Sequence, residues 1–167
     1  ISHINPTQYT QHNLAVKDGL AGFGEVLQQL PKGSAKAQVK RAFSDGNYTV
    51  THTEYNFFGP KVGFDIFKFE NGKIIEHWDN LQAITPVNPS GRTQLDGATA
   101  ITDLSKTKAN KALVKGFVNT ILINGNMAKI NDFISSEKGG YIQHNSAIAD
   151  DLSGLGKALG ELAKLNM

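Results

Sequence analysis

Residues 64–80 read "FDIFKFENGKIIEHWDN". Aromatic and β-branched residues flank Asn71-Gly72, a dipeptide favoured where both central residues of a two-residue turn need positive φ, so the stretch is a β-hairpin with a defined register. Counting outward from the turn pairs Phe69 with Ile74, Phe67 with Glu76, Ile66 with His77, Asp65 with Trp78 and Phe64 with Asp79. One face would then carry Val62, Phe64, Ile66, Ile75, His77, Asp79 and Leu81. The other would carry Asp65, Phe67, Phe69, Ile74, Glu76 and Trp78. Apolar residues fall on both, so the sheet is expected to be covered on both sides. Further turn signals, "SDGN" at 44–47 and "FGPK" at 58–61, extend the pattern over residues 38–81 as three antiparallel strands that follow one helix.

That helix comes from a repeat. "YTQHN" at 9–13 returns as "YIQHN" at 141–145, and sliding the chain so that these coincide also matches Asp18 with Asp150, Leu20 with Leu152, Gly22 with Gly154, Leu27 with Leu159 and Leu30 with Leu162. In each copy an acidic residue, Asp18 or Asp150–Asp151, precedes apolar residues three and four apart, which reads as an N-cap and one face of an amphipathic helix. Residues 84–102, "ITPVNPSGRTQLDGATAIT", hold two prolines and two glycines without apolar period and read as a linker. Beyond them Ala109, Leu113, Phe117 and Ile121 recur every fourth residue up to a helix stop at Gly125, and a short second helix includes Ile130 and Phe133. The chain thus divides into 1–83 (helix plus sheet), the linker 84–102, and the helical portion 103–167.

Composition narrows the function. Over 167 residues, 40% hydrophobic and 19% charged content belongs to a folding chain of one-domain size. The net charge is +2 and the lysines are scattered, which argues against nucleic acid as a partner. There is no cysteine, so disulfides, thiolate nucleophiles and zinc-thiolate sites are excluded. No apolar run approaches the roughly 20 residues that span a bilayer, so no membrane partner is expected. Because the sequence opens on Ile1 instead of Met, removal of a preceding segment is expected. Phosphate loops, the GxSxG elbow, dinucleotide fingerprints and HxxxH or HxH metal spacings are missing, so neither cofactor nor metal is expected.

"YTQHN", Asp18-Gly19, "VKR" at 39–41, His52, "DIFKFENGKI" at 65–74 and "EHWD" at 76–79 together resemble the SnoaL-like branch of the nuclear transport factor 2-like superfamily. Residues 9–82 resemble the second portion of such a module and 104–165 its first portion. Neither copy is complete, so the chain resembles an out-of-phase slice of a tandem array. The resemblance implies an α+β cone in which a curved antiparallel sheet wraps an apolar pocket, here permuted or domain-swapped. It also implies cofactor-free cyclase, isomerase or hydrolase activity on small apolar molecules.

A general acid–base needs a proton-accepting side chain in a dry pocket. Asp79, on the face assigned to Phe64, Ile66 and Leu81, meets that demand, and the resemblance sets it near the carboxylate that acts in aldol-type cyclases. His77, two residues away, would orient it or relay its proton. Phe64, Ile66, His52 and Leu81 would contact the ligand from the sheet, with Leu113 and Phe117 closing the other side. Tyr141, His144 and Asn145 join the ligand-contact candidates. For His144 and Asn145, as for His12 and Asn13, a turn that guides entry into the following helix is the competing role. Asp65 and Trp78, assigned to the opposite face, are secondary candidates that could equally tie down backbone or indole N–H.

Three functions fit these residues: a cofactor-independent enzyme with Asp79 as base, a pocket that holds a small apolar molecule without turnover, and an assembly module. The second "YxQHN" helix, with Leu152, Leu155, Leu159 and Leu162, is surplus to one cone. A homodimer is therefore expected, with helices 104–134 laid on a sheet within one chain or by exchange between two.

Overall fold

The structure, a computed structural model, describes residues 1–165. The fold is α+β: helices accompany one curved, mostly antiparallel five-stranded sheet. Two compact units divide the chain, residues 1–84 with 97–100 and residues 85–96 with 101–167.

The first unit holds β1 (Thr10–Gln11), α1 (Gly19–Gln29), β2 (Lys36–Asp45), β3 (Tyr48–Asn56), β4 (Pro60–Glu70) and β5 (Lys73–Ala83). Their order across the sheet is β1-β5-β4-β3-β2, antiparallel except where β1 lies parallel on β5. Four long strands, not three, follow α1, because each turn signal closes a separate hairpin. Asn71 and Gly72 take φ of 50° and 72°, the double positive φ that their turn demands.

The β4–β5 register departs from simple counting. Phe69 pairs with Ile74 as expected, but Lys68 then pairs with Glu76, Phe67 with His77, Ile66 with Trp78 and Asp65 with Asp79. Ile75 is the extra residue of a β-bulge, and it is buried to 6% exposure. Since strand side chains alternate with period two, one inserted residue moves every side chain beyond it to the other face. The inner face therefore combines Tyr55, Gly63, Asp65, Phe67, His77, Asp79 and Leu81. The outer face carries Phe64, Ile66 and Trp78, which corrects the face assignment made from the sequence. Helix α1 covers the inner face from the apolar stripe that the sequence predicts, with Tyr9 and Phe23 meeting edge to face at 6.4 Å.

In the second unit, α2 (Thr107–Phe117) follows a 3₁₀ turn at Leu104–Lys106 and runs into a π-helical turn at Val118–Ile123. A 3₁₀ turn at Met127–Asp132 and α3 (Asp151–Leu165) complete it. Phe117 and Phe133 pack edge to face at 6.1 Å. Residues 85–96 belong to this unit and are folded. Asn88, 3% exposed, donates through Nδ2 to the carbonyls of Gln143 and Ile148, while Arg92 Nε donates to Asp150. A polar loop of this kind has no apolar period, so its order is invisible to a hydrophobic pattern.

The two "YxQHN" loops share one internal bonding scheme. The amide of Gln11 donates to Asp18 and that of Gln143 to Asp150, at 2.7 and 2.9 Å. Asn13 N donates to Gln11 Oε1 and Asn145 N to Gln143 Oε1. The amides of Gly19 and Asp151 donate to the carbonyls of Tyr9 and Tyr141. Asp18 thus ties the loop back on itself and makes no side-chain cap for α1, contrary to the N-cap expectation. Gly22 and Gly154 recur for a steric reason: a Cβ would stand 2.1 Å from the Lys17 carbonyl oxygen in one copy and 2.0 Å from that of Ala149 in the other.

Candidate active site

Between α1 and the inner face lies a cavity of about 470 Å³. Phe23, Leu27 and Leu30 line it from the helix side, and Tyr55, Asp65, Phe67, Ile74 and His77 line it from the sheet. Ile4, Tyr9, Phe57 and residues 35–37 complete the wall. Most of this surface is apolar, and the polar groups converge at the floor, as in small-molecule sites generally.

The central group is Asp65, 4% exposed. Its Oδ2 accepts from the Tyr55 hydroxyl at 2.8 Å and from the Thr51 hydroxyl at 3.2 Å. Its Oδ1 lies 3.3 Å from His77 Nε2. His77 Nδ1 meets the side-chain amide of Gln11, with Nε2 at 3.0 Å and Oε1 at 3.1 Å. Toward an ionised Asp65, which can only accept, His77 Nε2 is the donor. A carboxylate has about four acceptor positions, and these three bonds leave capacity for one more.

Gln11 Nε2 also donates to the Tyr9 hydroxyl at 3.3 Å, which leaves the tyrosine its own proton to give. Burial, reinforced by the negative charges of Asp79 and Asp65, pushes the Tyr9 hydroxyl up to about 12. Tyr55 is raised as well, first by burial and then by Asp65. Both hydroxyls are therefore held protonated as donors.

Of the residues expected from the sequence, His77 lines the cavity and Asp65 joins it as the buried carboxylate. Asp79 is on the same face, outside the lining, and both its oxygens accept from Asn13 Nδ2, at 2.9 and 2.8 Å. Leu81 packs beside Gly63, where a Cβ would lie 2.8 Å from it. Phe64 and His52 are stacked on each other at 4.3 Å on the outer face, with Arg41 at 2.9 Å from His52 Nδ1. Ile66 is exposed on that face. His12 stacks on Trp78 at 4.6 Å and bonds Glu76 at 2.8 Å, also outside the cavity. The paired bonds from His12 and Lys68 hold the Glu76 carboxyl below its usual range. Leu113, Phe117 and Tyr141 line a separate hollow of about 240 Å³ within the second unit. His144 bonds the Thr93 carbonyl and Asp96, and Asn145 accepts from the Ala147 amide, so the second loop has the turn-holding role.

Tyr9, Tyr55, Phe67 and Phe23, which line the cavity, and Gln11, which bonds His77, are not among the candidates read from the sequence. Two of them stand inside the quoted "YTQHN". Phe67 was hidden by the bulge, which also put Asp65 on the opposite face as a secondary candidate. Asp65, His77 and Asp79 each offer a ligand atom within 4.8 Å of the others, a set that could hold a cation. The same side chains are hydrogen-bonded to Tyr55, Thr51, Gln11 and Asn13. Among the described residues no helix is long and apolar enough to cross a membrane.

No protein-family model and no curated protein matches the sequence. Among solved structures the chain is similar to TsrD from Streptomyces laurentii, with 18% identity over 48% of this chain and 72% of that one, at a TM-score of 0.40. It is also similar to an NTF-2 like protein of unknown function from Burkholderia xenovorans LB400, with 17% identity over 52% and 70% at a TM-score of 0.44. AclR from Streptomyces galilaeus is similar with 16% identity over 49% and 73%, at a TM-score of 0.40.

Proposed function

We propose that the first unit is a cofactor-independent acid–base enzyme of the SnoaL-like kind, acting on a small apolar carbonyl compound. The observation that supports it is a buried Asp65–His77 pair at the floor of an otherwise apolar cavity, 3.3 Å apart, with hydroxyl donors beside it. Asp65 takes the proton from the carbon next to the carbonyl. His77, oriented by Gln11, holds Asp65 in place and steadies its charge. The Tyr9 hydroxyl donates to the carbonyl oxygen as negative charge develops there. The base thus shifts from Asp79, first expected in that role, to Asp65. Asp79 anchors Asn13 and with it the loop that carries Gln11. Aldol condensation, cyclisation and isomerisation all begin with this step.

The test is hydrogen–deuterium exchange at the α-carbon of a small aryl ketone, followed by NMR. Exchange above the buffer rate with the native protein, abolished in Asp65→Asn with the fold retained by circular dichroism, supports the proposal. Specific binding of the ketone without exchange would leave the pocket as a ligand carrier.

The homodimer expected from the sequence belongs with this reading. Phe64, Phe43, Tyr48 and Ile66 are 52, 49, 40 and 38% exposed on the outer face of the sheet, an apolar patch suited to a second copy of itself. Pairing through this face leaves the cavity open, and exchange of residues 103–167 between the copies is compatible with it. Light scattering should report twice the 18.1 kDa chain mass, reverting to one chain mass in Phe64→Lys.

A further inference from the structure

The proposed chemistry leaves open which carbonyl compounds the cavity admits. The floor holds the carboxylate of Asp65 and a single imidazole, with the Asp79 carboxylate just outside the lining and ligand atoms from all three within 4.8 Å of one another. The polar groups that complete the floor are uncharged: Tyr9, Tyr55, Thr51, Gln11 and Asn13. The cation in the wall is Lys36, at the start of β2, and β2 is three strands away from the β5 that carries His77. At a strand spacing of about 4.8 Å that is about 14 Å across the sheet, beyond the screening length near exposed groups.

We propose that the cavity selects by charge, taking an uncharged head group at Asp65 and rejecting a carboxylate. This rests on the function proposed above, and it adds the substrate class. Proton transfer from carbon to Asp65 leaves the total charge of the floor unchanged, so a neutral ketone is accommodated before and after the step. A carboxylate head would instead bring a further negative charge to within hydrogen-bond reach of Asp65, in surroundings too dry to screen it. The direction in which the tyrosine hydroxyls are shifted agrees: burial raises both first, and nearby carboxylates add to it.

The experiment compares 2-acetylnaphthalene with 2-naphthoate, close in shape and different in charge, by calorimetric titration of the intact chain at neutral pH. The ketone should bind at least about tenfold tighter, the weight of one pKa unit. Asp65→Asn should narrow that ratio strongly, and Asp79→Asn, which replaces no residue of the cavity lining, should narrow it less. Equal or tighter binding of the naphthoate to the native protein, or a ratio indifferent to both substitutions, overturns the inference. Since binding is read without turnover, a charge preference with no α-carbon exchange would sink the proposed reaction and leave the selectivity standing. Exchange with no charge preference would do the reverse.

Discussion

The ring of Phe67 lies on the imidazole of His77, centroids 4.6 Å apart and 15° from parallel, because the two residues pair directly across β4 and β5. That contact exists only through the bulge at Ile75. Without it His77 would face Ile66. Phe67→Ala should therefore weaken binding of an apolar ligand and cost about 2 kcal/mol of stability, less than a fully buried Phe because the side chain is only partly buried. Ile66→Ala should leave ligand affinity unchanged. Equilibrium binding of 2-acetylnaphthalene to the two variants checks this, and equal losses in both would refute the observed register.

Gly22 and Gly154 should be equally intolerant of a side chain. Alanine at either would push its Cβ into the carbonyl oxygen five residues earlier, an overpacking worth about 1–3 kcal/mol. Urea unfolding should show Gly22→Ala shifting the fluorescence transition of Trp78 in the first unit. Gly154→Ala should instead lower helical signal at lower urea. A neutral Gly154→Ala would mean that the second loop is not held as the first is.

Tyr9 sets an alkaline limit. Its ordinary value is 10.0 and its folded value is about 12, so between those pH values the unfolded chain has lost a proton that the folded chain keeps. Stability from this group is full below pH 10 and is lost as pH rises through about 12. Tyr9→Phe should flatten that decline, measured as the urea midpoint against pH. An unaltered decline would show that the hydroxyl ionises freely.

Asp150 sets an acid limit for the second unit. The Gln143 amide first, then Arg92, lowers its carboxyl below the ordinary 3.8. A depressed carboxylate contributes stability above its unfolded pKa and loses it as pH falls through the folded one. Asp150→Asn should reduce stability at neutral pH and weaken its dependence on acid. A pH profile identical to that of the native chain would remove the Asp150 ties from the account.

How much of this was legible beforehand differs from residue to residue. Gly22 and Gly154 matched in the sequence, but the carbonyl oxygens that forbid a side chain there come from the loop's closure. His77 was a candidate from "EHWD" after an Asn-Gly turn, and it lines the cavity. Tyr9 and Gln11 were visible only as letters of a repeated motif, since their function depends on β1 reaching β5, a contact between residues far apart in the chain. Asn88 left no trace, because a polar side chain that bonds two carbonyls in place of a strand has no periodic signature.

The sequence by itself determined the elements: the Asn71-Gly72 hairpin, the apolar stripe of α1, the helices after residue 103 and the duplicated loop. These follow from turn geometry and side-chain periodicity, which act over a few residues. Which face of the sheet lines the cavity was decided only by tertiary structure. A strand repeats every two residues, so one bulged residue inverts all that follow, and consecutive apolar residues at Ile74 and Ile75 are its one local trace. Burial of Ile75 selected that slip, carried Asp65 and Phe67 to the side of His77, and turned Phe64 and Ile66 outward.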